Sequence, residues 1–234
     1  MKNLFIFCFF VMALIFVQFA QGQSVDEIIQ KNMEAMGGKE KLATLKTVKL
    51  EGSMSIQGTD VSITTTKSHM AGIRTDIEVM GMANYQVANP TKGSVFMPVR
   101  GMTAPEDMEA EQYKSSLNQM DLQGPFLNYK DKGTKVEYVG TEKAGDADVY
   151  NLKVTFKNGK VNNYFIDTKT NRIVKTTGKS MMNGQEMDVQ TTYSDYKQTS
   201  DGFWFPFTVT NTQGTINYSK ISTNVPVDIS IFKI

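Results

Sequence analysis

The stretch from Tyr150 to Asp167, with the sequence YNLKVTFKNGKVNNYFID, decides the fold class. Its large apolar side chains from Tyr150 to Phe156 alternate with Asn, Lys and Thr. A period of two is typical of a β-strand that buries one face and exposes the other. Asn158 and Gly159 can both adopt positive φ, and they separate this run from a second apolar run, Val161 to Ile166. The stretch therefore predicts an antiparallel β-hairpin.

The same alternation recurs along the chain, beginning at Val48, Leu50, Met54 and Ile56. Short intervals between turn signals indicate a meander of ten or eleven strands. Those signals are Gln57-Gly58, Ala71-Gly72, Asn89-Pro90, Asn183-Gly184 and Gln213-Gly214. The pattern predicts a mainly β protein built on one strongly curved antiparallel sheet.

Two segments interrupt the strands and have helical character. Ser24 and Glu27 form a capping box, an apolar stripe follows, and Gly37-Gly38 suits the end of a helix. Pro105 to Met120 lacks alternation and is rich in Glu, Gln, Lys and Met, so we predict a helix with Pro105 in its first turn. These N-terminal and mid-chain helices must cover the concave face of the sheet.

The first residues have the layout of a secretory signal peptide. Lys2 precedes an apolar run from Leu4 to Val17, and the small-residue pattern Ala20-Gln21-Gly22 follows. We predict a cleaved signal peptide over residues 1–22 and a single exported domain over residues 23–234. The alternative is an uncleaved anchor, but the run is shorter than the roughly 20 residues that a membrane span needs.

The charge of the chain limits its possible partners, and its cysteine content limits its possible disulfides and metal sites. Without the first 22 residues the chain has 24 basic and 24 acidic residues, and no basic run, so nucleic acid is not an expected partner. Cys8 is the only cysteine and lies inside the apolar run. The mature domain would therefore have neither disulfides nor thiolate ligands.

Candidate catalytic or metal-binding groups are sparse. His69 is the only histidine, and we favour a surface turn residue over a catalytic base or a zinc ligand. The carboxylates fit a solvated helix N-terminus and an ordinary turn better than acid–base catalysis or a calcium site; they are Glu106, Asp107, Glu109, Glu111, Asp146 and Asp148. We expect no enzymatic activity, no metal and no cofactor.

Methionine is unusually frequent, with thirteen of the fifteen residues beyond Gly22. Methionine is flexible and polarizable, so a cavity lined with it can adapt to apolar guests such as lipids. A solid core filled with methionine explains the same composition, and the sequence leaves both interpretations open.

Four stretches together resemble the LolA-like proteins, in particular the outer membrane lipoprotein-sorting proteins. They span the mature chain in the family's order: Ile28 to Gly38, Tyr164 to Ile173, Asp195 to Pro206 and Ile216 to Phe232. The resemblance implies a half-open barrel of about eleven strands, with helices acting as a lid over an apolar cavity. It also implies a periplasmic location and a cargo of lipoprotein acyl chains.

The resemblance implies a monomeric carrier that delivers lipids or lipoproteins towards the outer membrane, with membrane receptor proteins as further partners. The alternative is an envelope binding module of the same fold that senses lipid or docks a protein without transport. From the inward phase of the strands and the mid-chain helix, we predict these lipid-binding residues: Leu50, Met54, Ile56, Ile77, Val79, Phe96, Met97, Leu117 and Met120.

Two departures from the family pattern concern the lid and the cavity wall. The family closes its lid with an arginine on an early strand, and here the candidates near that place are Lys67 and Arg74. The family cavity is rich in aromatic residues including tryptophan, whereas Trp204 is the only tryptophan here and lies late in the chain. The cargo is therefore open to being a different lipid.

Overall fold

A computed structural model describes residues 24–56, 58–182 and 185–234. The predicted signal peptide lies outside these residues. These ranges contain three α-helices, α1 Val25–Ala35, α2 Lys39–Ala43 and α3 Ala110–Gln119, and 3₁₀ turns at Pro98–Arg100 and Ile229–Phe232. Within the described ranges no helix has the length and apolar character needed to cross a membrane.

The strands that the structure describes form one antiparallel sheet of thirteen. Their bounds are β1 Thr47–Ile56, β2 Thr59–Ser68, β3 Gly72–Val79, β4 Met82–Ala88, β5 Gly93–Phe96, β6 Glu106–Asp107, β7 Lys135–Ala144, β8 Ala147–Thr155, β9 Val161–Asp167, β10 Ile173–Met182, β11 Gln185–Gln198, β12 Trp204–Asn211 and β13 Gly214–Thr223.

The sheet is curved but not closed into a barrel. Its order is β6-β5-β4-β3-β2-β1-β13-β12-β11-β10-β9-β8-β7, so the first long strand pairs with the last and the edges are β6 and β7. This confirms the predicted mainly β half-open barrel. It has thirteen strands rather than about eleven, partly because the two-residue β6 is too short to show alternation.

Helix α1 begins where the sequence predicts. Glu27 N donates to Ser24 Oγ at 3.2 Å and Ser24 N donates to Glu27 Oε2 at 3.0 Å, which completes the capping box. Ile28 and Ile29 are buried against Leu152, Val154 and Ile166 of β8 and β9. Helix α1 therefore covers the β8–β9 half of the concave face.

The mid-chain helix begins later than predicted, at Ala110 rather than near Pro105. Glu106 pairs with Val95 in the sheet, Ser94 Oγ donates to Glu106 O at 3.0 Å, and Met108 N donates to Gly93 O at 2.9 Å. The edge of β5 needs partners for its backbone groups, and this segment supplies them in an extended conformation. Glu106 and Asp107 therefore belong to a strand and not to a solvated helix face.

Candidate functional site

A large cavity lies on the concave face, between the sheet and α3. Its volume is about 1620 Å³, larger than the 300–1,000 Å³ of typical small-molecule pockets. The wall includes residues of both halves of the sheet, among them Leu50 of β1, Thr176 of β10, Tyr193 of β11 and Val209 of β12. The cavity exists because α1 and α3 each cover one part of the sheet and leave the middle unfilled.

Helix α3 is attached to the β3–β4 half of the sheet mainly by apolar packing. Leu117 and Met108 pack with Ile73 and Ala88, and Met120, which directly follows the helix, joins this cluster. Two hydrogen bonds add to the contact: Gln112 Nε2 donates to Gln86 Oε1 and Tyr113 OH donates to Asn89 O, both at 3.0 Å.

On the other side of the cavity, α3 contacts the β8–β9 hairpin through polar groups. Asn158 Nδ2 donates to Lys114 O at 3.1 Å and to Asn118 Oδ1 at 3.0 Å. The Lys160 ammonium lies 3.7 Å from Glu111 Oε2. Helix α3 therefore spans the opening from β4 to the β8–β9 hairpin as a roof, with an apolar attachment along one side and a polar one along the other.

The predicted hairpin explains why Asn158 can make this contact. The two strands pair as expected, from Thr155 with Val161 onwards. Only Gly159 adopts positive φ, at 82°, whereas Asn158 keeps an ordinary backbone conformation. The Asn158 side chain both accepts from Lys160 N, at 3.2 Å, and reaches α3.

The wall of the cavity is amphipathic. Val48, Leu50 and Leu122 supply apolar surface, and Tyr164, Tyr193 and Tyr218 supply rings with hydroxyl groups. Burial raises the pKa of all three tyrosine hydroxyls, so they stay protonated and serve as neutral hydrogen-bonding groups. The Thr176 and Tyr193 hydroxyls are 3.1 Å apart.

Lys67 is the half-buried cationic side chain of the wall that has no hydrogen bond or ion pair with the described residues; Arg100 and Lys157 of the wall have none either, but both are exposed to solvent. Lys67 lies on β2 between Val48 of β1 and Ile73 of β3, its cross-strand neighbours. By exposed area the residue is half-buried, because it borders open cavity space. The surrounding protein still lowers the pKa of its ammonium from 10.5 to about 8 through desolvation.

His69 lies in the predicted turn after β2 but is half-buried in the cavity wall rather than fully exposed at the surface. Its Nδ1 accepts a hydrogen bond from Leu122 N at 3.2 Å, and Asp121 Oδ1 lies 3.7 Å away. A nitrogen that accepts this bond is unprotonated, so the neutral ring carries its proton on Nε2. Satisfying the backbone amide of Leu122 accounts for the partial burial.

Among solved structures, several share this architecture at low sequence identity. A LolA superfamily protein from Nitrosomonas europaea matches with a TM-score of 0.53 and 12% identity, over 87% of this chain and 97% of that chain. The chain has a LolA-like fold. A domain named as an outer membrane lipoprotein-sorting protein, from Vibrio parahaemolyticus, matches with a TM-score of 0.51 and 16% identity, over 88% and 95% of the two chains.

A third structure with this LolA-like fold is a DUF1329 family protein from Desulfovibrio piger, with a TM-score of 0.54 and 13% identity, over 88% of this chain and 97% of that chain. No protein-family model matches the sequence, and no curated protein matches it. At these identities the structural likeness establishes the fold.

The LolA-like fold brings some of the predicted lipid-binding residues together and separates others. Leu50, Leu117 and Met120 line the cavity. Met54, Ile77 and Val79 lie outside the wall, in a cluster with Val61, Ile63 and Ile216, of which Ile216 also lines the cavity. Ile56 is 42% exposed at the end of β1, Met97 is buried outside the cavity wall, and the Phe96 ring packs against Tyr85. The part that each plays in binding stays a prediction.

The two lid candidates lie on opposite faces of the sheet. Lys67 faces the cavity, whereas Arg74 is a neighbour of Ile73 on β3 and therefore faces the other way. The Arg74 guanidinium pairs with Asp76 at 2.8 Å and lies over the Tyr85 ring. Within the described ranges neither side chain forms a hydrogen bond or ion pair with α3, and Asn158 and Lys160 make the polar contacts instead.

Several wall residues were missed at the level of sequence. Tyr164 follows the inward phase of its strand and could have been found by the period of two. Asn158 was identified only as a turn residue, and nothing local signals its contact with α3. Methionine contributes little to the described wall, where only Met70 and Met120 take part. Trp204 also lies outside the cavity wall, against the Arg172 guanidinium.

Proposed function

We propose that this protein is a non-enzymatic carrier that holds lipid acyl chains in the cavity beneath α3. The observation that carries the proposal is a cavity of about 1620 Å³ with apolar surface, roofed by a helix that touches both halves of an open sheet. Burial of a C16 chain, at roughly 0.8 kcal/mol per CH₂, offers on the order of 10 kcal/mol before ordering costs. That is enough to hold a lipid during transfer.

The two attachments of α3 suggest how the cavity opens. Separating the β8–β9 hairpin from α3 exchanges a few polar contacts for contacts with water, at a net cost of about 0.5–1.5 kcal/mol for each hydrogen bond. Separating α3 from Ile73 and Ala88 would expose apolar surface without such compensation. Opening at the hairpin side is therefore the less costly motion, and α3 stays attached to β3 and β4.

The cellular setting is part of the same proposal. The N-terminal pattern of a signal peptide and the LolA-like fold both support export to the periplasm of a Gram-negative envelope. The cargo would then be acyl chains of lipids or lipoproteins, and release would depend on a membrane receptor protein. Among the described residues no group of three or more His, Cys, Asp or Glu side chains could hold a metal ion, which is compatible with a binding role.

A pair of variants on β1 tests where the chain binds. Leu50→Asn places an amide in the cavity wall, whereas Ile56→Asn makes the same kind of change on the same face of β1 but outside the cavity. We expect Leu50→Asn to weaken binding of a fluorescent fatty acid about tenfold and Ile56→Asn to leave it unchanged. Equal affinities for wild type and both variants would contradict this site.

Co-purified lipid and transfer between vesicles test the function itself. We expect organic extraction of the purified wild-type protein to release lipid. Mass spectrometry should find close to one lipid molecule per protein molecule. The protein is also expected to accelerate movement of a fluorescent lipid from donor to acceptor vesicles. Lipid that co-purifies but is not transferred would leave a binding protein and rule out the carrier.

A binding module without transport remains the second candidate, and the edge strand β7 favours it. β7 is ten residues long, has β8 as its one neighbour in the described part of the sheet, and exposes 59% of Val139 and 37% of Tyr138. An open edge of this length can add a strand from a partner. Val139→Lys should abolish such docking and leave lipid content unchanged, while a carrier would keep its transfer rate in this variant.

A further inference from the structure

Lys67 is the half-buried cation of the cavity wall that has no counter-ion among the described residues. Its residue neighbours across the strands are Val48 and Ile73, both apolar, and it makes no hydrogen bond or ion pair with the described residues. Desolvation alone lowers its pKa, with no carboxylate acting on it. A half-buried ammonium in such a place costs stability unless something supplies the opposite charge.

The other lysines of the wall are satisfied. Lys132 Nζ pairs with Asp121 Oδ2 at 2.5 Å and donates to Gly124 O at 3.1 Å. Lys160 donates to Lys179 O at 2.9 Å, and Lys179 pairs with Glu186 at 2.5 Å. Lys157 is exposed to solvent. Lys67 therefore differs from every other lysine of the wall in lacking both water-exposed surroundings and a protein partner within the described ranges.

A second donor lies beside Lys67. His69 is two residues further along the chain and also lines the cavity. Because its Nδ1 accepts from Leu122 N, the proton of the neutral ring is on Nε2 and is available to a ligand. Because both residues line the same cavity, an ammonium and an imidazole N–H can each serve an oxygen of one anionic group.

We propose that Lys67 is the head-group site of the cavity and that the ligand is an amphiphile with an anionic head group, whose apolar chain lies along the wall formed by Val48 and Leu50. The inference rests on the proposed lipid-binding function and specifies its substrate class. The shared chemistry is an anionic oxygen, from the carboxylate of a fatty acid or the phosphate of a lysophospholipid. Neutral lipids of the same chain length lack the group that Lys67 needs.

The test compares a fluorescent fatty acid, 11-(dansylamino)undecanoic acid, with its methyl ester at pH 7. Both have the same chain and fluorophore, and only the acid carries a charge. We expect the wild-type protein to bind the acid roughly tenfold to 100-fold more tightly, as a hydrogen bond to a charged group implies. In Lys67→Met this preference should disappear, and Lys67→Arg should keep most of it.

The control variant is Lys49→Met on the neighbouring strand. Lys49 is paired with Glu51 at 2.8 Å and lies outside the cavity wall, so its loss should not affect the preference for the acid. Urea unfolding shows whether each variant is folded. Even where a variant does not fold, comparing the binding of acid and ester to the wild-type protein tests whether the cavity has a site for an anionic head group.

The outcomes separate this inference from the proposed function. Equal binding of acid and ester by the wild type, or full acid affinity in a folded Lys67→Met, overturns the head-group site and leaves lipid binding intact. Absence of binding for both probes overturns the lipid-binding function and the inference with it. Displacement of the probe by lysophosphatidic acid rather than by palmitate, lost in Lys67→Met, supports the site and assigns it to a phosphate.

Discussion

Replacing Lys67 by methionine is expected to stabilise the lipid-free protein at pH 7. Methionine has a similar length and no branch, so it can occupy the same space without a charge. Burial lowers the pKa of the Lys67 ammonium from 10.5 to about 8, and one pKa unit corresponds to 1.36 kcal/mol, so the charged form costs on the order of 3 kcal/mol of unfolding free energy. Most single substitutions destabilise a protein, which makes a gain of this size a distinctive result.

The stability gain of Lys67→Met should depend on pH, in a direction fixed by the lowering of the Lys67 pKa. Below pH 8 Lys67 is protonated in both folded and unfolded protein, and the whole cost is present. Between about pH 8 and 10.5 the unfolded protein binds more protons than the folded one, so the stability of the wild type rises relative to the variant. The advantage of Lys67→Met is therefore largest at pH 7 and close to zero near pH 11.

Equilibrium urea unfolding of delipidated protein at pH 7 and at pH 10.5 measures both effects. Lys49→Met is the matched control, because this lysine is only partly buried, is paired with Glu51 and lies outside the cavity wall, and its unfolding curve should stay close to that of the wild type. A Lys67→Met variant that is less stable than wild type at pH 7 would refute the reasoning. So would a stability difference that does not shrink as the pH rises.

Three further predictions concern the roof, the core and the C-terminal segment. Asn158→Ala removes the hydrogen bonds to Lys114 O and Asn118 Oδ1. The dissociation rate of a bound fatty-acid probe, measured by stopped-flow fluorescence, should therefore rise several-fold. An unchanged rate would argue against opening at the hairpin. Ile28→Ala should lower the unfolding free energy by about 2–5 kcal/mol in urea, because Ile28 is fully buried against β8 and β9; a loss below 1 kcal/mol would mean that α1 is loosely attached. Gly72→Ala would place a methyl group against the Phe232 ring, so the melting temperature should fall by several degrees. The melting temperature should recover in part in the double variant that also carries Phe232→Leu.

The sequence predicted what is decided locally and missed what depends on contacts between distant segments. The capping box at Ser24 and the hairpin at Gly159 depend on residues within a few positions of each other, and both are present. The start of α3 was wrong because Glu106 pairs with Val95, which needs the edge of β5 to be in place. The composition of this segment alone does not predict its pairing with the edge of β5.

The same distinction explains why only some of the predicted lipid-binding residues line the cavity. Alternation identifies which face a side chain is on, and Leu50 and Met54 do share a face of β1. It does not identify how far along the strand the cavity extends. Met54 packs instead with Val61 and Ile216 on neighbouring strands, in a cluster that contains no helix residue.

The composition of the wall argues for an amphiphile rather than for a purely apolar or purely polar guest. An apolar chain alone would cover Val48 and Leu50 but leave the Lys67 ammonium further desolvated and still unpaired. A small polar anion would satisfy Lys67 but leave apolar surface in contact with trapped water. Only a molecule that carries both parts, at a separation set by its own covalent structure, meets both requirements at once. The unpaired ammonium lowers the stability of the empty protein, and the polar attachment of α3 is the one that separates at the lower cost. Each coincides with a step that a carrier must perform, holding a head group and opening a roof.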